Sequence, residues 1–171
     1  MKKNWFAVYT KARCEIKVAS LLTKKKIQNY CPLNRISIGD EHTKKYTYEA
    51  LFPSLVFVYA LDAEIAVIKQ TGSVVNFLYW LGNPAIIAEA EINDIKNFTD
   101  LYTDIKLEKA TVGSGMIRII SEPIGEINSN VNSVKSKKLK VFLPSLGYIL
   151  IVGAEETNTA IFNLKRNKLV S

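Results

Sequence analysis

The chain has 171 residues, 48% of them hydrophobic and 10% aromatic, enough for one folded domain or two small ones, and its 8 Gly and 5 Pro exclude a collagen-like or low-complexity chain. Its longest apolar run, Leu51 to Leu61, contains Pro53 and Ser54 and falls short of the roughly 20 residues a spanning helix needs, so a cytoplasmic protein without membrane contact is expected. The net charge of +7 gathers at the ends: 11 Lys/Arg against 4 Asp/Glu in residues 1–50, 4 against 8 in 51–110, and 8 against 4 in 111–171, a segregation that can attract a polyanion.

Lys2 and Lys3 precede only the short apolar run Trp5 to Tyr9, too little for a secretory signal. Asn4 to Thr10, rich in aromatic and β-favouring residues, predicts a strand. From Ala12 to about Lys25, Cys14, Val18, Leu21 and Leu22 recur on one helical face, with Arg13, Lys17, Ser20 and Lys24 on another, and Lys24 to Lys26 place cations where the helix dipole is negative. Ile27 to Ile38 reads as a strand interrupted by Pro32, Gly39 to His42 as a turn, and Lys44 to Ala50 as the returning strand of a hairpin. Ser54 to Ala60, apolar on both faces, fits the middle of a covered sheet. A short helix over Asp62 to Lys69, a strand over Val74 to Trp80 and a helix over Ala88 to Tyr102 follow, the last with Ile92, Ile95, Phe98 and Tyr102 in one stripe. Residues 103–113 have linker composition. Beyond them, Met116 to Ile120, Ile127 to Val131, Leu139 to Leu143, Tyr148 to Val152 and Thr159 to Phe162 are short strand-like runs suggesting a small barrel.

Catalytic chemistry is scarce. The single histidine, His42, falls in the polar turn, and no phosphate-binding, dinucleotide-binding or metalloprotease motif occurs. Cys14 and Cys31 stand 17 positions apart with no metal-ligand spacing, so reduced thiols are expected and no metal or other cofactor is implied. Two features point to binding. Lys11, Arg13, Lys17 and Lys24 can meet successive phosphates from a turn and one helix face, although the same pattern also fits a plain solvated helix face. Leu51 to Tyr59 is too apolar to be covered by one helix: Val56 and Val58 fit the core, while Phe52 and Leu55 fit core packing or a partner protein equally well.

Five blocks in fixed order carry a resemblance: Trp5 to Ala19 (with Lys11, Arg13, Glu15 and Lys17), Tyr30-Cys31-Pro32-Leu33, Leu51 to Val58, Thr71 to Phe77, and Asn83-Pro84-Ala85-Ile86-Ile87. Together they resemble the N-terminal domain of the NusG family, and Phe77 to Ile86 is similar to the specialised paralogues of the RfaH and UpxY type. The resemblance implies an α+β fold: an antiparallel sheet flanked by helices over residues 1–102, a linker over 103–113, and a small SH3-like β-barrel of KOW type over 114–171. It implies a transcription elongation and antitermination factor, not an enzyme, that binds the clamp helices of the RNA polymerase β′ subunit through a hydrophobic depression lined by Tyr9, Phe52, Leu55, Trp80, Ile92 and Ile95. It places Lys11, Arg13 and Lys17 at the exposed non-template DNA strand. A ribosomal protein or another factor is implied as a partner of the C-terminal domain, and a monomer is expected. Leu55 stands where many relatives carry Tyr, Ala12 where Pro, Arg or Lys is common, and Glu122 and Asn128 replace KOW glycines. An RNA-binding KOW-type module in ribosome assembly is the alternative reading. The depression is expected to stay open in the free protein, awaiting a partner.

Overall fold

A computed structural model describes residues 2–39, 43, 45–110 and 137–154. In chain order the elements are β1 (Asn4–Thr10), α1 (Glu15–Lys24), β2 (Gln28–Tyr30), β3 (Leu33–Ile38), β4 (Lys45–Ala50), β5 (Leu55–Ala60), a 3-10 turn Asp62–Glu64 leading into α2 (Ile65–Lys69), β6 (Val74–Phe77), β7 (Tyr79–Trp80), β8 (Asn83–Pro84), β9 (Ile86–Ile87), α3 (Glu89–Leu101), β10 (Lys106–Lys109), β11 (Lys137–Leu143) and β12 (Tyr148–Ala154). Among the described residues no helix is long and apolar enough to cross a membrane.

The period-two alternation of a strand gives β1 two apolar faces, and the fold uses both. β1 and β5 pair antiparallel, with Ala7 opposite Phe57 and Val8 opposite Val56, at the centre of a sheet ordered β2-β5-β1-β6; β9 joins β1 beyond β6. One face carries Phe6, Val8, Val56 and Val58, which pack with Val18 and Leu22 of α1, Ile68 of α2 and Phe77. Val18 and Leu22 are one helical turn apart, so α1 lays a single stripe on the sheet and turns Lys17 and Lys24 outward. The helix stops in a Schellman arrangement: Lys26 takes φ 62, its amide reaches Thr23 O, and the Ile27 amide reaches Leu22 O. The other face carries Trp5, Ala7, Leu55 and Phe57, packed with Ile92, Ile95 and Phe98 of α3 and with Leu143, Leu150 and Val152 of a second sheet ordered β10-β12-β11.

The expected strand over Ile27 to Ile38 is broken at Cys31-Pro32 into β2, which pairs with β5, and β3, which pairs with β4 in a separate ribbon. Pro32 has no amide to give a ladder, and its carbonyl instead accepts the Leu51 amide at 2.8 Å. The expected strand over Val74 to Trp80 likewise parts at Leu78, whose amide donates to Ala7 O at 2.8 Å before the chain leaves the sheet edge as a small hairpin. Lys106–Lys109, expected within the linker, forms a strand paired with β12, Leu107 opposite Leu150. Leu139–Leu143 and Tyr148–Val152 lie in β11 and β12 as expected; the runs at 116–120, 127–131 and 159–162, and with them the expected barrel, lie outside the described residues.

One polar side chain ties the β3–β4 ribbon to the segment after α3. Buried Asn34 donates its Nδ2 to Ile105 O at 2.8 Å and accepts the Ile105 amide on Oδ1 at 3.1 Å, completing a strand-like pair by side chain. Asn34→Ala leaves both Ile105 backbone groups buried and unpaired, so a stability loss of about 2 kcal/mol or more is expected, read as a lowered midpoint in chemical denaturation.

Candidate functional site

Four of the six residues expected in the depression meet in one apolar cleft. Phe52 comes from the β4–β5 turn, Leu55 from the start of β5, and Ile92 and Ile95 from α3, and all four are buried. Tyr9, 42% exposed, sits at the rim. The turn that presents Phe52 is held from its polar side. Ser54 takes a left-handed φ of 58, its amide donates to Glu15 Oε1 at 2.6 Å, and its carbonyl accepts the Thr10 amide at 2.9 Å. With its backbone clipped to α1 and β1, the turn directs the Phe52 ring edge-on against Phe57, 5.5 Å between centroids.

The cleft is not open. The β10-β12-β11 sheet turns Leu139, Val141, Leu143, Tyr148, Leu150 and Val152 to one face, and that face closes over it. Tyr148 meets Phe52 edge-on at 5.9 Å, and only a narrow crevice remains between Tyr9, Phe52, Pro53, Leu55 and Leu78 on one side and Leu107, Leu146 and Tyr148 on the other. The expectation of an open hollow is thereby corrected: a patch built from a phenylalanine and three aliphatics is unfavourable in water, and the chain's own C-terminal sheet is the nearest apolar surface.

A polar contact fastens this cover. Glu91, in the first turn of α3, is buried, and its Oε1 accepts both the amide of Ser145 at 3.0 Å and its hydroxyl at 2.8 Å. Ser145 lies in the β11–β12 turn, so the carboxylate grips the cover at its tip. The second oxygen, Oε2, is buried without a partner among the described residues. Among the described residues the grip therefore rests on one oxygen of the carboxylate.

Lys11 and Arg13 are exposed on the turn that follows β1, and Lys17 and Lys24 lie on the exposed side of α1 about 10 Å apart along the axis. The Lys11 amide donates to Ser73 O at 2.9 Å and Arg13 takes φ 60, so the basic turn is packed between the Phe52 turn and the β6 lead-in. Cleft and basic edge therefore share one junction at the end of β1. Trp80 is placed elsewhere: it is exposed at the hairpin tip and does not line the crevice, where Leu78 takes the position on that strand. Leu78, Leu107, Leu146, Tyr148, Glu91 and Ser145 escaped sequence reading. Only Glu91 carried a local signal, its place four residues before Ile95 and seven before Phe98 on the buried stripe.

No cluster of three metal-ligating side chains occurs among the described residues, and His42 lies outside them. Both cysteines are free thiols; burial, and secondarily the Glu15 carboxylate, pushes Cys31 up to about 11, so it stays protonated and unreactive at neutral pH. Glu91→Ala removes the acceptor at the cover's tip. Hydrogen exchange at the 143–148 amides should then speed by roughly tenfold, while amides in β1 and β5 keep their protection.

Comparison with known proteins follows this geometry. The family described as "Transcription termination factor nusG" matches residues 3–96, more than half of the chain. Among solved structures, one described as "Domain interaction in Thermotoga maritima NusG" is 24% identical over 92% of this chain and 96% of that chain, with a TM-score of 0.53, which supports a shared fold. No curated protein matches the chain in sequence. The family match takes in the five-stranded sheet, the Phe52 turn and the part of α3 that carries Ile92 and Ile95, and the chain belongs to the NusG family.

Proposed function

We propose that the chain is a cytoplasmic transcription elongation factor that binds RNA polymerase through the Phe52 cleft and suppresses pausing or termination on particular operons, in the manner of the RfaH and UpxY branch. The observation that carries this reading is the double use of the cleft. Phe52, Leu55, Ile92 and Ile95 come from three separate elements and converge on a face that α3 and the C-terminal sheet cover together. The covering sheet is a separate segment, held there by apolar packing and by the Glu91–Ser145 contact. A binding surface that must stay out of water until needed gains its solubility that way. The β′ clamp helices, an exposed helical pair, would present apolar residues to the same cleft, so the cover and the polymerase compete for one site. The apparent affinity is then the intrinsic one reduced by the fraction of molecules that are open.

The basic turn supplies the second contact. Lys11 and Arg13 face solvent on the turn beside the cleft, Lys17 and Lys24 continue along exposed α1, and a displaced non-template strand lying across them would meet cations at successive phosphates. Leu55 in place of an aromatic anchor leaves Phe52 and Tyr9 as the aromatic contacts.

Two opposite substitutions test the competition. Phe52→Asp should abolish binding to core RNA polymerase, whereas Tyr148→Asp, which spoils only the cover, should tighten it by about tenfold or more, one decade for each 1.4 kcal/mol of closure lost. Equal weakening by both, measured in polymerase pull-down and titration, would show that cover and cleft form one inert core. Lys11→Ala with Arg13→Ala should remove crosslinking to the non-template strand and leave polymerase binding intact. Salt-sensitive RNA binding with no polymerase binding would favour the ribosome-assembly alternative.

A further inference from the structure

Two residues past Leu78 the chain builds a feature that neither folding nor solubility accounts for. β7 and β8 pair as Tyr79 with Pro84 and Trp80 with Asn83, leaving Leu81 and Gly82 as the central residues of a two-residue turn. Both are left-handed, with φ of 48 and 81. A turn of this type favours Asn or Gly at its first central position, because a Cβ branch crowds the backbone there. Here the position holds a leucine that is 86% exposed, beside a tryptophan that is 72% exposed. A Cβ added at Gly82 would meet nothing within 4 Å, so the tip stands free in water.

The tip is nonetheless rigidly mounted. On one side Phe77 pairs with Val8 and the Leu78 amide donates to Ala7 O; on the other, Ile86 pairs with Phe6 and Ile87 with Trp5. Both feet of the hairpin are thus fixed to β1, the central strand, and the Ala85 amide closes its base on Leu78 O at 2.8 Å. Backbone strain and exposed apolar area are held in place at a position where Asn would relieve both, which marks a binding element.

Charge identifies what it binds. Residues 74–87 contain no Asp, Glu, Lys, Arg or His. Lys69, the cation in contact with the hairpin, is committed to Tyr79, whose hydroxyl it meets at 2.5 Å and whose ring it faces at 5.3 Å. A polyanion would find no cation within the hairpin itself, whereas an uncharged apolar pocket on a protein matches a Trp-Leu pair in both chemistry and shape. Leu78 joins the base of this hairpin to the crevice, so one protein surface can reach both.

We propose that the Trp80–Leu81 tip is a permanently exposed plug for an apolar pocket on the protein that the cleft also binds, engaging while the cleft is still covered. The inference rests on the polymerase reading above. The closed chain thereby keeps a foothold for first encounter, and displacement of the cover follows as an intramolecular step at high effective concentration.

The test uses the full chain labelled with 5-fluorotryptophan, which reports buried Trp5 and exposed Trp80 separately, and purified core RNA polymerase. Leu81→Asn should raise the melting temperature by a few degrees, since it relieves the turn. The same substitution should weaken polymerase binding by about tenfold, in the native background and equally with Tyr148→Asp, and Trp80→Ser should do likewise. The Trp80 resonance should shift on polymerase addition. Unchanged binding in Leu81→Asn and Trp80→Ser with a stationary Trp80 resonance, while the Tyr148→Asp chain still binds polymerase, overturns the plug and leaves the cleft reading standing. Failure of every variant and of the native chain to bind polymerase overturns both. Self-association that Trp80→Ser abolishes, or oligonucleotide affinity that it removes, assigns the tip to a second copy or to nucleic acid and also overturns the proposal.

Discussion

The cleft around Phe52 has to be covered at all times. Its ring lies between Phe57 of the central sheet and Tyr148 of the C-terminal sheet, with Leu55, Ile92 and Ile95 around it. α3 covers part of that surface and leaves the Phe52 ring to be met from elsewhere. Something from outside must supply the missing apolar layer, and here β11 and β12 do so. Most features of the molecule follow from this constraint: the C-terminal sheet's one-sided apolar face, the recruitment of Lys106–Lys109 as a third strand, and the grip of Glu91 on the Ser145 turn.

Two buried carboxylates organise the region in different ways. Glu15 fixes the Phe52 turn from below through the Ser54 amide, a contact within the family-matched part of the chain that would persist whether the cleft is covered or not. Glu91 bridges to the C-terminal sheet, and one of its oxygens is left unpartnered among the described residues. The first contact shapes the site; the second holds its cover. A buried charge with an oxygen unpartnered among the described residues adds little net stability to the closed arrangement.

Position in the sheet explains why some residues were legible and others were not. β1, α1, β5 and α3 announce themselves by period-two or helical patterning, whereas the convergence of Phe52, Leu55, Ile92 and Ile95 was implied by the family resemblance and not by any local pattern. Trp80 did not join them. Its strand was read as continuous from Val74, but the Leu78 amide is captured by Ala7 O and the chain swings out, so the tryptophan ends at a hairpin tip and the smaller Leu78 fills the place. Leu107 and Tyr148 were invisible as site residues because their role depends on contacts with Leu55 and Phe52 far along the chain.

Amphipathic periods, a helix stop at three lysines, the basic bias of the first fifty residues and the scarcity of catalytic groups are local or compositional properties, and the amino-acid sequence settles them unaided. The splitting of Ile27 to Ile38 between two sheets, the left-handed backbone at Lys26, Ser54 and Leu81, and the closure of the cleft by the chain's own C-terminal strands were decided by tertiary structure. The physical reason is common to all of them. Each depends on which distant backbone amide, carbonyl or apolar face is available to satisfy a group, and a one-dimensional pattern records that a strand is apolar on both sides without recording what will cover it.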